Sequence, residues 1–273
     1  MELVAAIFVA CCGLILGSFF NVLIWRLPRH ESIVKPSSHC PTCNRPVRPW
    51  ENIPVASFLA LHGKCAGCGQ KISLQYPLIE LATAGAALFL WYTAGAGESL
   101  STSIAHNTHF VLRCFALLLM IPVTVIDLRH RIIPDAITLP LLGAALCASF
   151  LPGDTTPFQA LAGVVAGGGT LMAMGWLGKV IFRKGEAMGG GDVKLLAAVG
   201  ALWGPKIGLL TIFFGAVAGT IGVGILLALK RMPEDRRIPF GPFLALGLWI
   251  AVLWGDLLVE SYLKLATRLI YGG

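Results

Sequence analysis

Apolar residues come in long runs along this chain, separated by short polar connections. A membrane crossing takes about 20 such residues. On that basis the runs predict about eight transmembrane helices, near 3–25, 77–96, 109–127, 134–152, 158–178, 192–204, 207–229 and 241–263. The sixth is the shortest, because only the residues between Lys194 and Lys206 are free of charge. The parity of the flanking connections favours a short or tilted crossing there. Without it, the connection holding Lys230, Arg231, Arg236 and Arg237 would change sides. The expected fold is an all-α polytopic membrane protein. One sizeable loop interrupts it, at residues 26–76, between the first two spans.

Composition agrees. Of 273 residues, 56% are hydrophobic and 13% charged, which excludes an ordinary soluble domain. The formal net charge of +7 raises the question of nucleic acid, but the basic residues form no binding stripe. They sit in alternate connections, whereas 97–108 and 153–157 carry no Lys or Arg. That asymmetry is the positive-inside signature and places the loop 26–76 in the cytoplasm. Glu2 and the lack of an early Lys or Arg do not suit a cleaved signal peptide, so residues 1–25 are expected to be a retained span with its N-terminus outside. Lys264 and Arg268 run against the rule.

The loop contains Cys40-Pro-Thr-Cys43 and Cys65-Ala-Gly-Cys68. Paired C-x-x-C knuckles at this spacing point to a zinc-ribbon-like site, with two sulfurs from each knuckle on one tetrahedral Zn2+. Four thiolates fill the coordination sphere, so the ion would be structural. Disulfides are disfavoured in a cytoplasmic loop, and no thioredoxin-like pattern surrounds either pair. Cys11, Cys12, Cys114 and Cys147 lie in apolar runs and read as packing residues.

Two aspartates stand out. Asp127 closes the third apolar run, and Asp192 follows Gly189-Gly190-Gly191 at the start of the sixth. An acidic residue at a membrane edge is costly to keep and points to function. Two carboxylates brought close together share one proton. The ionised partner can then take a proton from water while the other polarises a peptide carbonyl. The ordinary alternative for each is a helix cap or an ion pair, with Arg129 to Arg131 beside Asp127 and Lys194 beside Asp192. Asp135 competes with Asp127 but suits an N-cap of the fourth span. No H-E-x-x-H, P-loop or G-x-S-x-G pattern offers another chemistry.

These residues, with others in the same order, resemble the bacterial type IV prepilin leader peptidases, bifunctional peptidase/N-methyltransferases of the GxGD class of intramembrane aspartyl proteases. The resemblance rests on Gly17 through Pro28 (GSFFNVLIWRLP), the two C-x-x-C pairs, Tyr76 to Glu80 (YPLIE), Ile126 to Asp135 around Asp127, Gly189 to Lys194 around Asp192, and Ile238 to Pro242 (IPFGP). It implies a membrane aspartyl endopeptidase that removes the leader of type IV prepilins or type II secretion pseudopilins at the cytoplasmic face of the inner membrane. It further implies methylation of the new N-terminal amine with S-adenosylmethionine. By the same resemblance Asp127 and Asp192 are catalytic, Gly189 and Gly191 shape their loop, and Cys40, Cys43, Cys65 and Cys68 hold zinc. Residues 77–273 would form the peptidase core. Glu80 and Asn21 are candidates for the methyltransferase site, although either could simply join helices within the membrane. The rival readings are a non-enzymatic membrane assembly factor that docks through the zinc loop and a proton-coupled transporter. The transporter is disfavoured by the absence of repeated halves.

Overall fold

The computed structural model describes residues 2–93, 104–182, 188–230 and 238–271, and among them there is no strand, only helices and two isolated bridges. The expected connection at 97–108 falls largely outside these residues, as do Arg183, Lys184, Arg231, Arg236 and Arg237. The chain divides into two compact units. One comprises Met1–Thr102 with Leu118–Pro122, the other Ser103–Leu117 with Val123–Gly273.

In the first unit, α1 (Glu2–Arg26) packs on α3 (Gln75–Thr93). Their backbones approach at two glycines one helical turn apart. A Cβ on Gly13 would lie 2.6 Å from the Cα of Ala84, and one on Gly17 2.6 Å from the Cα of Glu80. Small residues four apart allow two apolar helices to come this close. Between the helices lies a compact loop with 3-10 turns at Leu27–Arg29 and Pro49–Asn52 and the short α2 (Ala56–Ala60). Arg26, buried at the end of α1, ties the loop down by donating to the carbonyls of Ser32 (2.8 Å) and Pro36 (2.7 Å).

The second unit is built around α8 (Gly190–Trp203), every residue of which from Leu195 to Leu202 is buried. Around it pack α5 (Asp135–Ala148), α6 (Pro157–Val164), a π-helical turn (Val165–Gly169), α7 (Thr170–Phe182) and α9 (Pro205–Ala228). The long α10 (Gly241–Tyr271) lies along α9, and α4 (Ile104–His130) supplies Ala116 to the cluster that α5 and α8 form. Gly163 and Gly200 meet backbone to backbone, leaving no space for a side chain on either. Gly204, with φ of 84°, turns the chain from α8 directly into Pro205 and α9, a conformation suited to glycine.

Among the described residues, helices occupy all eight expected positions, and five are long and apolar enough to cross a membrane: Glu2–Arg29, Thr108–His130, Pro157–Ile181, Pro205–Ala228 and Gly241–Leu269. The eight expected crossings are therefore not all borne out by length. α5 and α8 have 14 residues each, about 21 Å, against a hydrocarbon core of about 30 Å. The apolar run of α8 from Leu195 to Leu202 is buried by protein on all sides, which periodicity alone does not separate from a lipid-facing span. The first turns of α3 carry Gln75, Tyr76 and Glu80, which shortens its apolar run.

Candidate functional site

Asp127 lies in the last turn of α4 and is 5% exposed. The chain leaves α4 through Arg131 in the left-handed region (φ 56°), and Ile133 and Pro134 lead into α5. Asp192 is half-buried in the first turn of α8. The two carboxylates lie close enough to repel each other. Both aspartates and all their supports belong to the second unit.

Three glycines make room for this arrangement. A Cβ on Gly189 would be 2.8 Å from Oδ2 of Asp192. A Cβ on Gly191 would be 2.8 Å from the Cβ of Ile133, so its absence lets the segment after Asp127 close on α8. At Gly190 a Cβ would meet open space. The third is Gly241, the first residue of α10, whose N–H donates to Oδ2 of Asp127 at 2.7 Å. An N-terminal helical N–H favours a carboxylate acceptor. The IPFGP motif flagged this segment in the sequence, but no role for Gly241 was legible there, since the contact spans 114 residues.

The alternative roles for the aspartates are taken by other groups. Lys194 pairs with both oxygens of Asp135, each at 2.7 Å, and not with Asp192. Asp135 is the first residue of α5 and makes no capping bond, so the expected N-cap is replaced by this ion pair. Gly189 is the N-cap of α8. Among the described residues neither Asp127 nor Asp192 forms an ion pair. Asp256 pairs with Lys206.

In the first unit, the sulfurs of Cys40, Cys43, Cys65 and Cys68 all lie within 4.8 Å of one another, and none is in a disulfide. Cys40 and Cys68 are 3.9 Å apart. A tetrahedral ion with Zn–S bonds of about 2.3 Å requires sulfurs about 3.8 Å apart, so the donor set and spacing fit zinc. The knuckles repeat one local design. Asn44 N–H bonds the Cys40 carbonyl and Gly69 N–H the Cys65 carbonyl, each at 2.9 Å, with Asn44 and Gly69 both at positive φ. Backbone N–H groups of Cys43 and Thr42 pull the Cys40 thiol down to about 6, and those of Cys68 and Gly67 lower Cys65. The Gln70 N–H favours the Cys68 thiolate, but desolvation and the neighbouring thiols push that thiol up to about 11. Arg45 lies over Gly67, where a Cβ would be 2.9 Å from its Cδ, and pairs with Glu51 at 2.7 Å.

Glu80 and Asn21 meet at the same α1–α3 interface. Asn21 donates to the carbonyls of Gly17 (3.2 Å) and Tyr76 (3.1 Å) and accepts from Gln75, so its carboxamide is spent on joining the two helices. Glu80, 6% exposed, accepts from the Val55 N–H at 2.7 Å and from the Ser18 hydroxyl.

Comparison with known proteins places both units. Residues 11–94 match the family model described as "Bacterial Peptidase A24 N-terminal domain", and residues 114–224 that of the "Type IV leader peptidase family". Curated relatives named "Prepilin leader peptidase/N-methyltransferase" are similar over nearly their full lengths. That of Pseudomonas aeruginosa is 38% identical over 95% of this chain and 94% of its own. That of Aeromonas hydrophila is 37% identical over 92% and 91%, and that of Xanthomonas campestris 36% over 93% of each. No solved structure matches. With both halves matched in order and similarity running the length of the chain, this protein is a member of the type IV leader peptidase family.

Proposed function

We propose that this protein is a membrane aspartyl endopeptidase that removes the leader of type IV prepilins or type II secretion pseudopilins and then methylates the new N-terminal amine. The observation that carries the peptidase half is the approach of Asp127 and Asp192, buried and half-buried, with no cation paired to either among the described residues. Neither is consumed by a structural ion pair, which distinguishes them from Asp135.

The chemistry follows from one proton shared by two carboxylates. The ionised carboxylate draws a proton from a water molecule as its oxygen attacks the scissile carbonyl. The protonated carboxyl donates a hydrogen bond to the carbonyl oxygen, where negative charge develops. The tetrahedral adduct then collapses, the C–N bond breaks, and the departing nitrogen takes a proton from the pair. Gly241 N–H holds one oxygen of Asp127 and so orients the other for this exchange. The substrate's basic leader would remain in the cytoplasm while its apolar segment lies in the bilayer, which puts the scissile bond at the membrane surface. By the positive-inside pattern the active site and the cysteine loop face the cytoplasm of a bacterial inner membrane and the N-terminus lies outside.

Zinc held by Cys40, Cys43, Cys65 and Cys68 serves structure, because four thiolates close its coordination. S-adenosylmethionine supplies an electrophilic methyl group to the second reaction. The test is cleavage of a prepilin by purified wild type, Asp127→Asn and Asp192→Asn, with mass spectrometry of the product. Each variant should lose at least a hundredfold in rate, on the order of a lost general acid or base, and wild-type product should carry a methyl group. Cleavage at wild-type rate by either variant would refute the pair.

A further inference from the structure

α5 and α8 start together and run in the same direction. Ile133, just before α5, meets Gly191 at the start of α8, and Asp135 pairs with Lys194 in their first turns. Further along, Leu141 and Ala145 share a buried cluster with Ala198, Ala201 and Leu202. Thr138 falls between these contacts, on the face of α5 that carries Leu141 and Ala145, since residues three and four apart share a face. It is fully buried, and its hydroxyl has no partner among the described residues. Other buried helical threonines donate to the carbonyl four residues earlier, as Thr83 does to Ile79 and Thr211 to Ile207, both at 2.7 Å. For Thr138 that acceptor is the Pro134 carbonyl, which already takes the N–H groups of Ile137 (3.0 Å) and Thr138 (3.3 Å) on its two lone pairs. A buried hydroxyl left unpaired carries its full desolvation cost. His109, the other buried side chain with unpaired atoms among the described residues, lies against Gly153 at the opposite end of α4 from Asp127. Thr138, by contrast, is close to the aspartates. It is five residues past Ile133 where Asp192 is one past Gly191, a difference of about 6 Å at the rise of an α-helix. Its side chain leans towards the N-terminus of α5, which is the end where the aspartates lie. A water with a hydrogen bond on either side spans about 5.6 Å, so the hydroxyl reaches the carboxylates through one water.

We propose that Thr138 positions the attacking water of the peptidase site, its hydroxyl oxygen accepting one O–H of that water while the ionised carboxylate faces the other. This role rests on the aspartyl peptidase function proposed above. The carboxylate takes one proton from the water, and that proton passes on to the departing nitrogen. The second proton stays on the oxygen that adds to the carbonyl carbon, still bonded to Thr138. Two fixed acceptors aim a lone pair of the water oxygen at the scissile carbon, whereas a single carboxylate leaves the water free to turn. The same role accounts for a polar group kept unpaired in an otherwise apolar seam, at a cost to the fold.

Such a role sets activity against stability. Thr138→Val keeps the shape of the side chain and removes the hydroxyl. In the detergent-purified full chain, prepilin cleavage by this variant should lose roughly tenfold or more in kcat, the scale of one hydrogen bond made in the transition state. KM should change little, because the water is held in the reaction and not in substrate binding. The melting temperature should equal or exceed that of wild type, since no buried hydroxyl is left unpaired. Thr138→Ser should recover most of the wild-type kcat, whereas Thr138→Ala, which differs from it by the hydroxyl alone, should not. If Thr138→Val fails to fold, the Ser and Ala pair decides. Wild-type kcat in Thr138→Val or Thr138→Ala overturns the role. Equal loss in Thr138→Ser and Thr138→Ala also overturns it, because the methyl group and not the hydroxyl is then what matters. A loss of rate that follows a lowered melting temperature assigns Thr138 to packing alone. Each of these results leaves the dyad standing, whereas cleavage at wild-type rate by Asp127→Asn or Asp192→Asn refutes the dyad and the role of Thr138 with it.

Discussion

The candidate dyad depends on missing side chains as much as on the carboxylates. Gly189, Gly191 and Gly241 each lie where a Cβ would fall within 2.8 Å of Asp192, Ile133 or Asp127, whereas Gly190 faces open space. Adding one methyl group at Gly191 or Gly241 should therefore displace an aspartate by a fraction of an ångström. Displacements of about 1 Å can cost a hundredfold in rate. Prepilin cleavage by Gly191→Ala and Gly241→Ala is expected to fall by roughly tenfold to a hundredfold, while Gly190→Ala should cleave within about twofold of wild type. Initial rates on one substrate, compared at equal folded protein, decide the point. Loss of activity in Gly190→Ala equal to that in its neighbours would mean that the glycine run serves something other than space around the aspartates. The aspartates and Gly189 and Gly191 were legible in the sequence as a motif. The contact from Gly241 was not, because a backbone donor has no sequence signature and this one acts across 114 residues.

At the scale of the helix, the second unit is organised by backbone contacts to α8. Gly163 of α6 meets Gly200, Gly167 of the π-helical turn meets the Leu196 carbonyl, and Gly208 of α9 sits 3.5 Å, measured from a Cβ built on it, from the Cα atoms of Gly167 and Gly200. Small residues four apart allow close helix packing, and the structure sets Gly163 and Gly167 against α8. Overpacking a tight interface costs about 1–3 kcal/mol. Gly163→Val should accordingly lower the melting temperature in detergent by several degrees and reduce cleavage along with it, because the start of α8 carries Asp192. An unchanged melting temperature would mean that α6 and α8 separate easily. The length of α8 shows where pattern reading stops. An apolar run buried on all sides by other helices and one facing lipid have the same composition, and only the neighbours of α8 distinguish them.

For the molecule as a whole, the cysteine loop has little besides its four-cysteine cluster and the bonds from Arg26 and Glu80 to hold it. Its 3-10 turns bury no residue, α2 buries none, and the knuckles rest on short backbone bonds. Small domains without a substantial core commonly fold only with their metal. Cys65→Ser or extraction with a chelator should therefore expose residues 38–72 to proteolysis and abolish methylation, with the bound metal read by atomic absorption. Retained protease resistance after complete metal loss would remove zinc from the account of the loop's stability. Acid should act the same way. The Cys40 thiol, drawn down to about 6 by the N–H groups of Cys43 and Thr42, is a thiolate above that pH and becomes protonated below it. Because zinc binds the thiolates and displaces their protons, acidification is expected to favour release of the metal, followed with a fluorescent chelator. Release on raising the pH from 7 to 8 would contradict that sign.

By itself the sequence determined the helical membrane class and the positions of the eight helical segments, and it singled out the four cysteines that cluster and the two aspartates as candidates. Each of these is written locally, in an apolar run, a fixed spacing of cysteines or an acid beside a glycine run. Tertiary structure decided the rest. It made Lys194 the partner of Asp135 instead of Asp192, spent Asn21 on the α1–α3 contact, set Glu80 in a cavity and brought Gly241 to Asp127. Among the described residues five helices are both long and apolar enough to cross a membrane. The physical reason is common to all of them. Charge partners, cavities and the covering of an apolar helix are relations between segments far apart in the chain, and local pattern carries the chemistry of a residue without the identity of its neighbour.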